Sequence, residues 1–287
     1  MTKNSTLKAQ SLQIPKPILL IAKLLEVISP KLVTLFASKL FRTPLKHKIP
    51  KRELEMDKNT LQQKILIPSI NKEIVVYKYG ESKRKILLVH GWSGRGTQLA
   101  KIADELVNLG FQTISFDAPA HGKSKGNNTL LPEFIDSILE LEKQFGPFEF
   151  AIGHSLGGMA ILNAVKQKLE IKKGVIIGSG DIIQDIIDDF IKKLQLQPKI
   201  GMLLKNYFEK KNNSTMDSFS SYQVAKEVKI PVLIIHDEND DEIPVNAAFN
   251  IQKHIQHSKI VITKGLGHRK ILGNKAVIES IKQFIIN

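Results

Sequence analysis

One serine stands among three glycines in the stretch AIGHSLGGMA, residues 151–160, directly after an apolar run. Within it, Gly153, Ser155 and Gly157 form the pattern G-x-S-x-G. A strand-like run precedes the serine and a helix-like run follows it. Glycines on both sides leave room for a sharp strand-to-helix turn that projects the serine hydroxyl above a sheet. The pattern favours Ser155 as a nucleophile, and its alternative is a turn that is merely tight.

Short β-rich runs alternate with helical stretches on both sides of this turn. The predicted strands cover residues 72–79, 85–90, 112–117, 148–153, 174–179, 232–237 and 259–264. The predicted helices cover residues 97–109, 131–145, 156–170, 245–256 and 274–286. This alternation predicts an α/β fold with a mostly parallel central sheet and helices on both of its faces. In such folds, functional groups gather at the carboxyl ends of the strands.

The interval 180–228 is too long for a single crossover helix. Its segment DIIQDIIDDFIKKLQLQ (181–197) repeats apolar residues on one helical face, with acidic residues at its start and basic residues toward its end. We therefore expect a helical cap insertion over the active edge of the sheet. The predicted organisation is an N-terminal helical segment over 1–59 and a domain over 60–287 that contains this cap.

The N-terminal segment is basic and amphipathic. Twelve Lys/Arg and four Asp/Glu in residues 1–60 give it +8 of the net charge of +14. Two helices are predicted, over 17–28 and 30–42, and charged residues and Pro30 interrupt their apolar runs, so no membrane span is expected. Packing on the domain is the first hypothesis, and contact of residues 14–52 with a membrane surface is the second. Nucleic acid is not an expected partner, since no binding motif is present.

The absence of cysteine excludes a disulfide scaffold, a zinc site with Cys ligands and a thiol nucleophile. It also fits a reducing compartment, and we expect a cytoplasmic protein. No phosphate-binding or dinucleotide-binding glycine pattern occurs, and the histidines are scattered without paired spacing. The sequence therefore predicts neither a cofactor nor a metal.

Five motifs occur in the order in which the α/β-hydrolase superfamily has them. They are HGWSGRG (90–96), FDAPAHGKS (116–124), GHSLGG (153–158), HDENDDEIP (236–244) and GLGHRKIL (265–272). On these motifs the chain resembles the serine esterase/lipase-like branch of that superfamily, from about residue 60 to its end. The resemblance implies the α/β-hydrolase fold and a Ser-His-Asp catalytic triad.

The resemblance assigns the catalytic roles residue by residue. Ser155 is the expected nucleophile at the nucleophile elbow, and it needs a base because a serine hydroxyl is weakly nucleophilic at neutral pH. His268 matches the base of the family. Asp240 matches the orienting acid, counted back from Ile243 and Pro244 in the pattern D-x-x-[VI]-P. The neighbouring acids are expected to form a solvated loop; they are Asp237, Asp241 and Glu242.

Two backbone N–H groups are expected to form the oxyanion hole, those of Trp92 and Leu156. The Trp92 side chain equally fits a hydrophobic wall. His90 is expected to support the oxyanion loop, and His154 to be an ordinary neighbour of the elbow. Arg95 fits either a substrate contact or an ion pair with a surface acid, and the ion pair is expected.

The leading functional hypothesis is a serine hydrolase that cleaves a carboxylic ester, a small acyl ester or an acylglycerol-like molecule, through an acyl-enzyme. An acyltransferase or a C–C bond hydrolase with the same triad is the alternative within the enzymes, because cap residues choose the acceptor and the leaving group. A third hypothesis, from another class, is a non-catalytic, membrane-associated interaction protein that docks through its basic N-terminal helices.

Overall fold

The computed structural model describes residues 14–287, and its centre is a sheet of eight strands. The strands are β1 (Leu61–Ile67), β2 (Lys72–Tyr79), β3 (Lys85–Val89), β4 (Gln112–Asp117), β5 (Phe150–His154), β6 (Lys173–Ile177), β7 (Val232–Asp237) and β8 (Ser258–Thr263). Their order in the sheet is β1-β2-β4-β3-β5-β6-β7-β8. Strand β2 runs antiparallel to β1 and β4, and all other pairs are parallel. The mostly parallel sheet expected from the sequence is confirmed.

Strand β1 lies at the edge of the sheet, and the sequence pattern does not predict it. Only Ile65 and Ile67 are buried among its residues. An edge strand has one neighbour and a partly solvated surface, so it lacks the continuous apolar run of a central strand.

Twelve helices surround the sheet within the described residues. They are α1 (Lys16–Ile28), α2 (Pro30–Phe41), α3 (Leu54–Asn59), α4 (Ala100–Asn108), α5 (Leu131–Phe145), α6 (Leu156–Lys166), α7 (Ile183–Lys193), α8 (Lys199–Asn212), α9 (Ser221–Ala225), α10 (Asn246–His254), α11 (Gly267–Lys270) and α12 (Lys275–Ile286). Short 3₁₀ helices cover Lys51–Glu53, Met216–Phe219 and Ile271–Gly273.

Side chains of the central strand β3 alternate between two separate cores. Leu87 and Val89 of β3 pack into a core with α5 and α6, whereas Ile86 and Leu88 pack into a core with α4 and α12. This alternation follows from the two-residue period of a strand. Because both faces are covered, the chemistry-bearing turns are confined to the ends of the strands.

Helices α1 and α2 form a hairpin, and it packs against helices of the interval 180–228. The ring of Phe41 in α2 lies 5.2 Å from that of Phe190 in α7 and 5.7 Å from that of Phe208 in α8. Glu26 of α1 accepts a hydrogen bond of 2.7 Å from the backbone N–H of Gln197. These contacts are the packing that the first hypothesis for the N-terminal helices expects. None of the helices in residues 14–287 is long and apolar enough to cross a bilayer.

The interval 180–228 holds α7, α8, a 3₁₀ turn and α9, where the sequence predicts a helical cap. The predicted amphipathic helix is α7, which ends at Lys193. A second long helix, α8, follows it in the interval. The apolar face of α7 is buried through Ile183, Ile187 and Ile191. The division of the chain into a segment over 1–59 and a domain over 60–287 stays a prediction.

The two-sided core predicts a large difference between two leucine truncations. Leu87→Ala, in the central strand β3, removes a fully buried side chain and is expected to lower the free energy of unfolding by about 2–5 kcal/mol. Leu66→Ala, in the edge strand β1 where the leucine is exposed, is the control and is expected to change it by less than about 0.5 kcal/mol. Urea unfolding followed by circular dichroism measures both values. Equal losses would contradict the placement of β3 at the centre of the core.

Candidate active site

Ser155 occupies the turn between β5 and α6, and its backbone is strained. Its φ of 53° and ψ of −120° lie where residues other than glycine are rarely found. The Ser155 N–H donates a hydrogen bond of 2.8 Å to the carbonyl of Ile177 at the end of β6. Strain of this kind persists only where the surrounding structure fixes it, and it is typical of functional turns.

The two glycines of the pattern are required by close backbone contacts. A Cβ on Gly153 would lie 2.5 Å from the carbonyl group of Gly157. A Cβ on Gly157 would lie 2.3 Å from the carbonyl oxygen of Val89 in β3. Because contacts below 3.0 Å force a shift of the backbone, the elbow excludes larger residues at both positions. The turn is therefore tight, and Ser155 stands at its centre.

Asp240 and His268, expected to be the acid and the base, form a direct hydrogen bond. His268 Nδ1 lies 2.7 Å from Asp240 Oδ2. The other carboxylate oxygen of Asp240 accepts the backbone N–H groups of Glu242 and Ile243, each at 2.9 Å. Burial alone raises the pKa of Asp240, but hydrogen bonds from His236 and His268 outweigh it and hold this pKa well below its ordinary value. An ionised carboxylate on Nδ1 leaves the opposite ring nitrogen, Nε2, available as a base.

Asp237 is fully buried, so the expectation of a solvated acidic loop is wrong for this residue. Its carboxylate accepts hydrogen bonds from the Thr263 hydroxyl at 2.7 Å and from the backbone N–H groups of Leu266 and Gly267, each at 3.0 Å. Burial raises the pKa of Asp237, and these hydrogen bonds lower it to below its ordinary value. Asp237 thus fixes the turn that carries His268.

The contact between the nucleophile and the base is not made in this structure. Within residues 14–287, the Ser155 hydroxyl forms no hydrogen bond with His268. The nearest acidic group to His268 Nε2 is Glu242, at 3.8 Å, and Arg269 holds the Glu242 carboxylate at 3.0 Å. The ring of His154, the residue before Ser155, lies 4.6 Å from the ring of His268. The fold thus brings His268 beside the turn that carries Ser155, and the hydrogen bond between the two side chains is not formed.

Both backbone groups expected to form the oxyanion hole have free N–H donors. In the described part of the chain, the N–H groups of Trp92 and Leu156 donate to no protein acceptor. Leu156 is the first residue of α6, where backbone N–H groups have no partner within the helix. The loop that carries Trp92 passes close to the serine, since a Cβ on Gly91 would lie 2.9 Å from the Ser155 Cβ.

Two buried histidines hold the loop that carries Trp92. His90 Nε2 accepts the N–H of Ala118 at 3.0 Å, and its Nδ1 lies 2.7 Å from the Gly91 carbonyl. His121 Nε2 accepts the N–H of Ser93 at 3.1 Å. The supporting role expected of His90 agrees with these contacts. No role is expected of His121 from its motif alone, although its position just after β4 is a signal for one.

These histidines are neutral because burial disfavours their charged form. Burial lowers the pKa of His121 to about 4 and that of His154 to about 3. The pKa of His90 also lies well below its ordinary value, chiefly through burial. A neutral imidazole both donates and accepts a hydrogen bond, which is what the contacts of His90 and His121 require.

The N-terminal segment also holds the loop over 90–96. The N–H of Leu45 donates to the Ser93 hydroxyl at 3.0 Å. Arg95 Nε lies 3.6 Å from Glu53 Oε2, and Glu53 also accepts a hydrogen bond from Thr97. The expectation that Arg95 pairs with a surface acid is wrong, because both Arg95 and Glu53 are buried. These contacts join residues more than 40 positions apart, so no local sequence pattern predicts them.

An apolar cavity of about 360 Å³ opens at Ser155. Its wall includes Ile18 of α1, Phe41 of α2, Met159 of α6 and Phe190 of α7. The size falls in the range of small-molecule sites. Trp92 also lines the cavity, so the hydrophobic-wall interpretation fits its side chain. No group of three or more His, Asp or Glu side chains in residues 14–287 is arranged to hold a metal ion.

Comparison with known families and curated proteins gives matches over most of the chain. A family model for the alpha/beta hydrolase fold matches residues 85–211, and a model for TAP-like proteins matches residues 211–287. An (R)-3-hydroxydecanoyl-ACP:CoA transacylase from Pseudomonas putida is 23% identical over 251 residues, which cover 73% of this chain and 84% of the relative.

Two solved structures are similar at lower identity. The esterase RhEst1 from Rhodococcus sp. ECU1013 is 14% identical, with a TM-score of 0.60, and the match covers 80% of this chain and 99% of the esterase. A bacterial membrane phospholipase A is 12% identical, with a TM-score of 0.63, and the match covers 94% of this chain and 96% of the phospholipase. At these identities the two structures share the fold with this chain.

The lowered pKa of His121 predicts a specific pH dependence of stability. In the unfolded chain a histidine protonates below about pH 6.5, but His121 in the folded protein stays neutral down to about pH 4. Protons therefore favour the unfolded state in this window, and folding stability falls as the pH drops through it. The contribution of His121 is about 1.4 kcal/mol per pH unit.

His121→Gln tests this, because an amide can make both hydrogen bonds and does not titrate. Urea unfolding of both proteins at a series of pH values between 7 and 4 gives the comparison. We expect the wild type to lose stability faster than His121→Gln as the pH falls. Parallel curves would contradict a neutral, buried His121.

Proposed function

The chain belongs to the α/β-hydrolase superfamily, and we propose that within it the protein is a serine hydrolase that cleaves a carboxylic ester of an apolar acyl group through an acyl-enzyme. The family and the fold support an enzyme of the hydrolase or transferase type. The observation that carries the finer proposal is the 2.7 Å hydrogen bond between His268 and Asp240 beside the strained Ser155.

In the proposed acylation step, His268 Nε2 takes the hydroxyl proton of Ser155 as the oxygen attacks the ester carbonyl carbon. The carbonyl π bond becomes an oxyanion, which the N–H groups of Trp92 and Leu156 stabilise. Asp240 remains ionised and stabilises the imidazolium. The C–O bond to the alcohol then breaks, and the imidazolium gives its proton to the leaving oxygen.

Deacylation repeats the same sequence with water. His268 Nε2 takes a proton from water, the resulting nucleophile attacks the acyl-enzyme, and the proton returns to the oxygen of Ser155 as the acid leaves. Both steps need Nε2 to face the serine. The 3.8 Å separation from Glu242 is too long for a hydrogen bond, so it leaves Nε2 free to reach Ser155 when substrate binds. Catalytic hydrogen bonds often tighten only in the complex with substrate.

The cavity supports an apolar acyl group as the part of the substrate that is bound. Its wall is mostly aliphatic and aromatic, and each buried methylene group of a ligand contributes about 0.8 kcal/mol. An acyl chain of several carbons therefore gains more here than an acetyl group does. The polar ester group is placed at the elbow, where the free N–H groups lie.

Acyl transfer is the second candidate, and one observation favours it: the curated relative is named for transfer of a hydroxydecanoyl group from ACP to CoA. Transfer and hydrolysis share the acyl-enzyme and differ only in the acceptor. Product analysis with and without coenzyme A separates the two, because transfer yields the acyl-CoA whereas hydrolysis yields the free acid. A C–C bond hydrolase has no observation of its own here.

The cytoplasmic location expected from the sequence stays a prediction. A small-molecule ester remains the proposed partner of the site. Contact of residues 14–52 with a membrane surface is likewise a proposal, and it depends on which of these side chains are exposed.

Substitutions of the triad predict losses of activity in folded protein. Ser155→Ala is expected to lower kcat for p-nitrophenyl hexanoate by about 10³-fold or more, because the nucleophile is gone. Asp240→Asn is expected to lower it by about 10⁴-fold, because an amide stabilises the wrong tautomer of His268. Asp241→Asn, at an exposed neighbouring position, is the matched control and keeps wild-type activity. Wild-type rates for Ser155→Ala, or equal rates for the two Asp→Asn variants, would refute the triad.

A bulky residue in the cavity wall predicts a change of chain-length preference. Ile18→Trp narrows the cavity and is expected to lower kcat/KM for p-nitrophenyl decanoate about tenfold, while kcat/KM for p-nitrophenyl acetate stays unchanged. Met202→Trp, at an exposed position of α8, is the control and is expected to change neither value. An equal loss for both esters in Ile18→Trp would mean that the cavity does not hold the acyl chain.

A further inference from the structure

The α1–α2 hairpin carries an apolar surface that the described residues leave uncovered. On α1, Leu20, Leu24, Val27 and Ile28 are 71%, 61%, 87% and 61% exposed. The spacing of these four residues, at i, i+4, i+7 and i+8, places them on one helical face. The hairpin face, as we call it, is completed by three further exposed residues. These are Ile21, Leu32 and Leu35.

Isolated exposed apolar residues are ordinary, but a contiguous set on one element marks an interaction surface. Packing against the rest of the protein does not explain this set, because the hairpin already buries its other side. Ala22 of α1 and Val33 and Ala37 of α2 are fully buried in the core cluster. The hairpin is thus apolar on two sides, and only one of them faces the protein.

The charges beside the hairpin face are almost all positive. Residues 16–41 contain four lysines and one acid. Lys16 and Lys23 of α1 and Lys31 and Lys39 of α2 are exposed. The acid, Glu26, is engaged with the Gln197 backbone and Lys23. An apolar face bordered by lysines is complementary to a bilayer that contains anionic lipids, since each lysine near such a surface contributes about 1 kcal/mol.

Another side of α1 forms part of the cavity. Ile18 lines it, together with Ile14 and Pro15 just before the helix. On regular helical geometry Ile18 lies about 160° around the helix from Leu20 and about 120° from Leu24. Helix α1 therefore separates the apolar cavity at Ser155 from the hairpin face. A surface bound to the hairpin face lies one helix away from the cavity.

We propose that the hairpin face docks on the surface of a bilayer that contains anionic phospholipid, with α1 and α2 lying in the plane of the interface. In this position the apolar side chains enter the boundary between headgroups and acyl chains, and the lysines contact the phosphates. The cavity wall formed by α1 is then held at the membrane, where apolar acyl substrates are concentrated. The docking itself needs no catalysis.

Sedimentation with vesicles tests the proposal on the full-length protein. Wild-type protein is expected to bind vesicles of phosphatidylcholine with phosphatidylglycerol more strongly than vesicles of phosphatidylcholine alone, and to lose part of this binding at high salt. The double variant Leu24→Ser/Val27→Ser is expected to bind at least about tenfold more weakly, because two apolar side chains no longer enter the interface. Phe249→Ser, at an exposed position of α10, is the matched control and is expected to bind like the wild type.

Three further measurements distinguish loss of membrane docking from misfolding, from failure of the catalytic proposal and from dimer formation. Thermal unfolding of the double variant is expected to match that of the wild type, because both leucine and valine are exposed. Ser155→Ala is expected to bind vesicles fully, so a failure of the catalytic proposal leaves docking testable. Light scattering after size exclusion detects a dimer: a wild-type dimer that the double variant abolishes, without vesicle binding, would assign the face to a second copy of this chain. That result, or equal vesicle binding of wild type and double variant, would overturn the proposal.

Discussion

The backbone of α6 approaches β3 so closely at Gly157 that only a hydrogen atom fits between that Cα and the Val89 carbonyl. This contact fixes where α6 begins, and with Gly153 it forces the chain to turn at one residue, Ser155, with a positive φ. The same turn leaves the N–H of Leu156 at the helix start without a partner among the described residues. One steric constraint thus yields a serine that lines the cavity and a free N–H donor next to it.

The N-terminal segment contributes to the site although the matching family models begin only at residue 85. Ile18 and Phe41 line the cavity, and Phe41 also packs the hairpin against α7 and α8. The Leu45 N–H donates a hydrogen bond to Ser93 in the loop over 90–96, and Glu53 pairs with the buried Arg95. The N-terminal segment therefore connects three parts of the molecule that are separate in the sequence. They are the apolar cavity at Ser155, the loop over 90–96 and the surface proposed to meet a membrane.

Much of the fold could be predicted because local patterns of residues indicate its strands and helices. The alternation of strands and helices has a period that a short window reveals, and the elbow has a motif whose glycines have steric causes. The sequence pattern does not predict the edge strand β1, because most of its residues are not buried. Another reason applies to three further features, because they arise from contacts between segments 26 or more residues apart. These features are the role of Asp237, the role of His121 and the contact of Leu45 with Ser93. The spacing of a motif selected Asp240, which the structure places beside His268. Spacing cannot give the orientation of the His268 ring toward Ser155.

That orientation is the point on which the proposed chemistry depends, and a crystal structure of the protein after reaction with an alkyl fluorophosphonate addresses it. We predict a covalent bond from phosphorus to Ser155 Oγ, the phosphoryl oxygen within hydrogen-bond distance of the N–H groups of Trp92 and Leu156, and His268 Nε2 turned to Oγ while Nδ1 keeps Asp240. An unmodified serine in folded protein, or an adduct with the His268 ring turned away from it, would contradict the account.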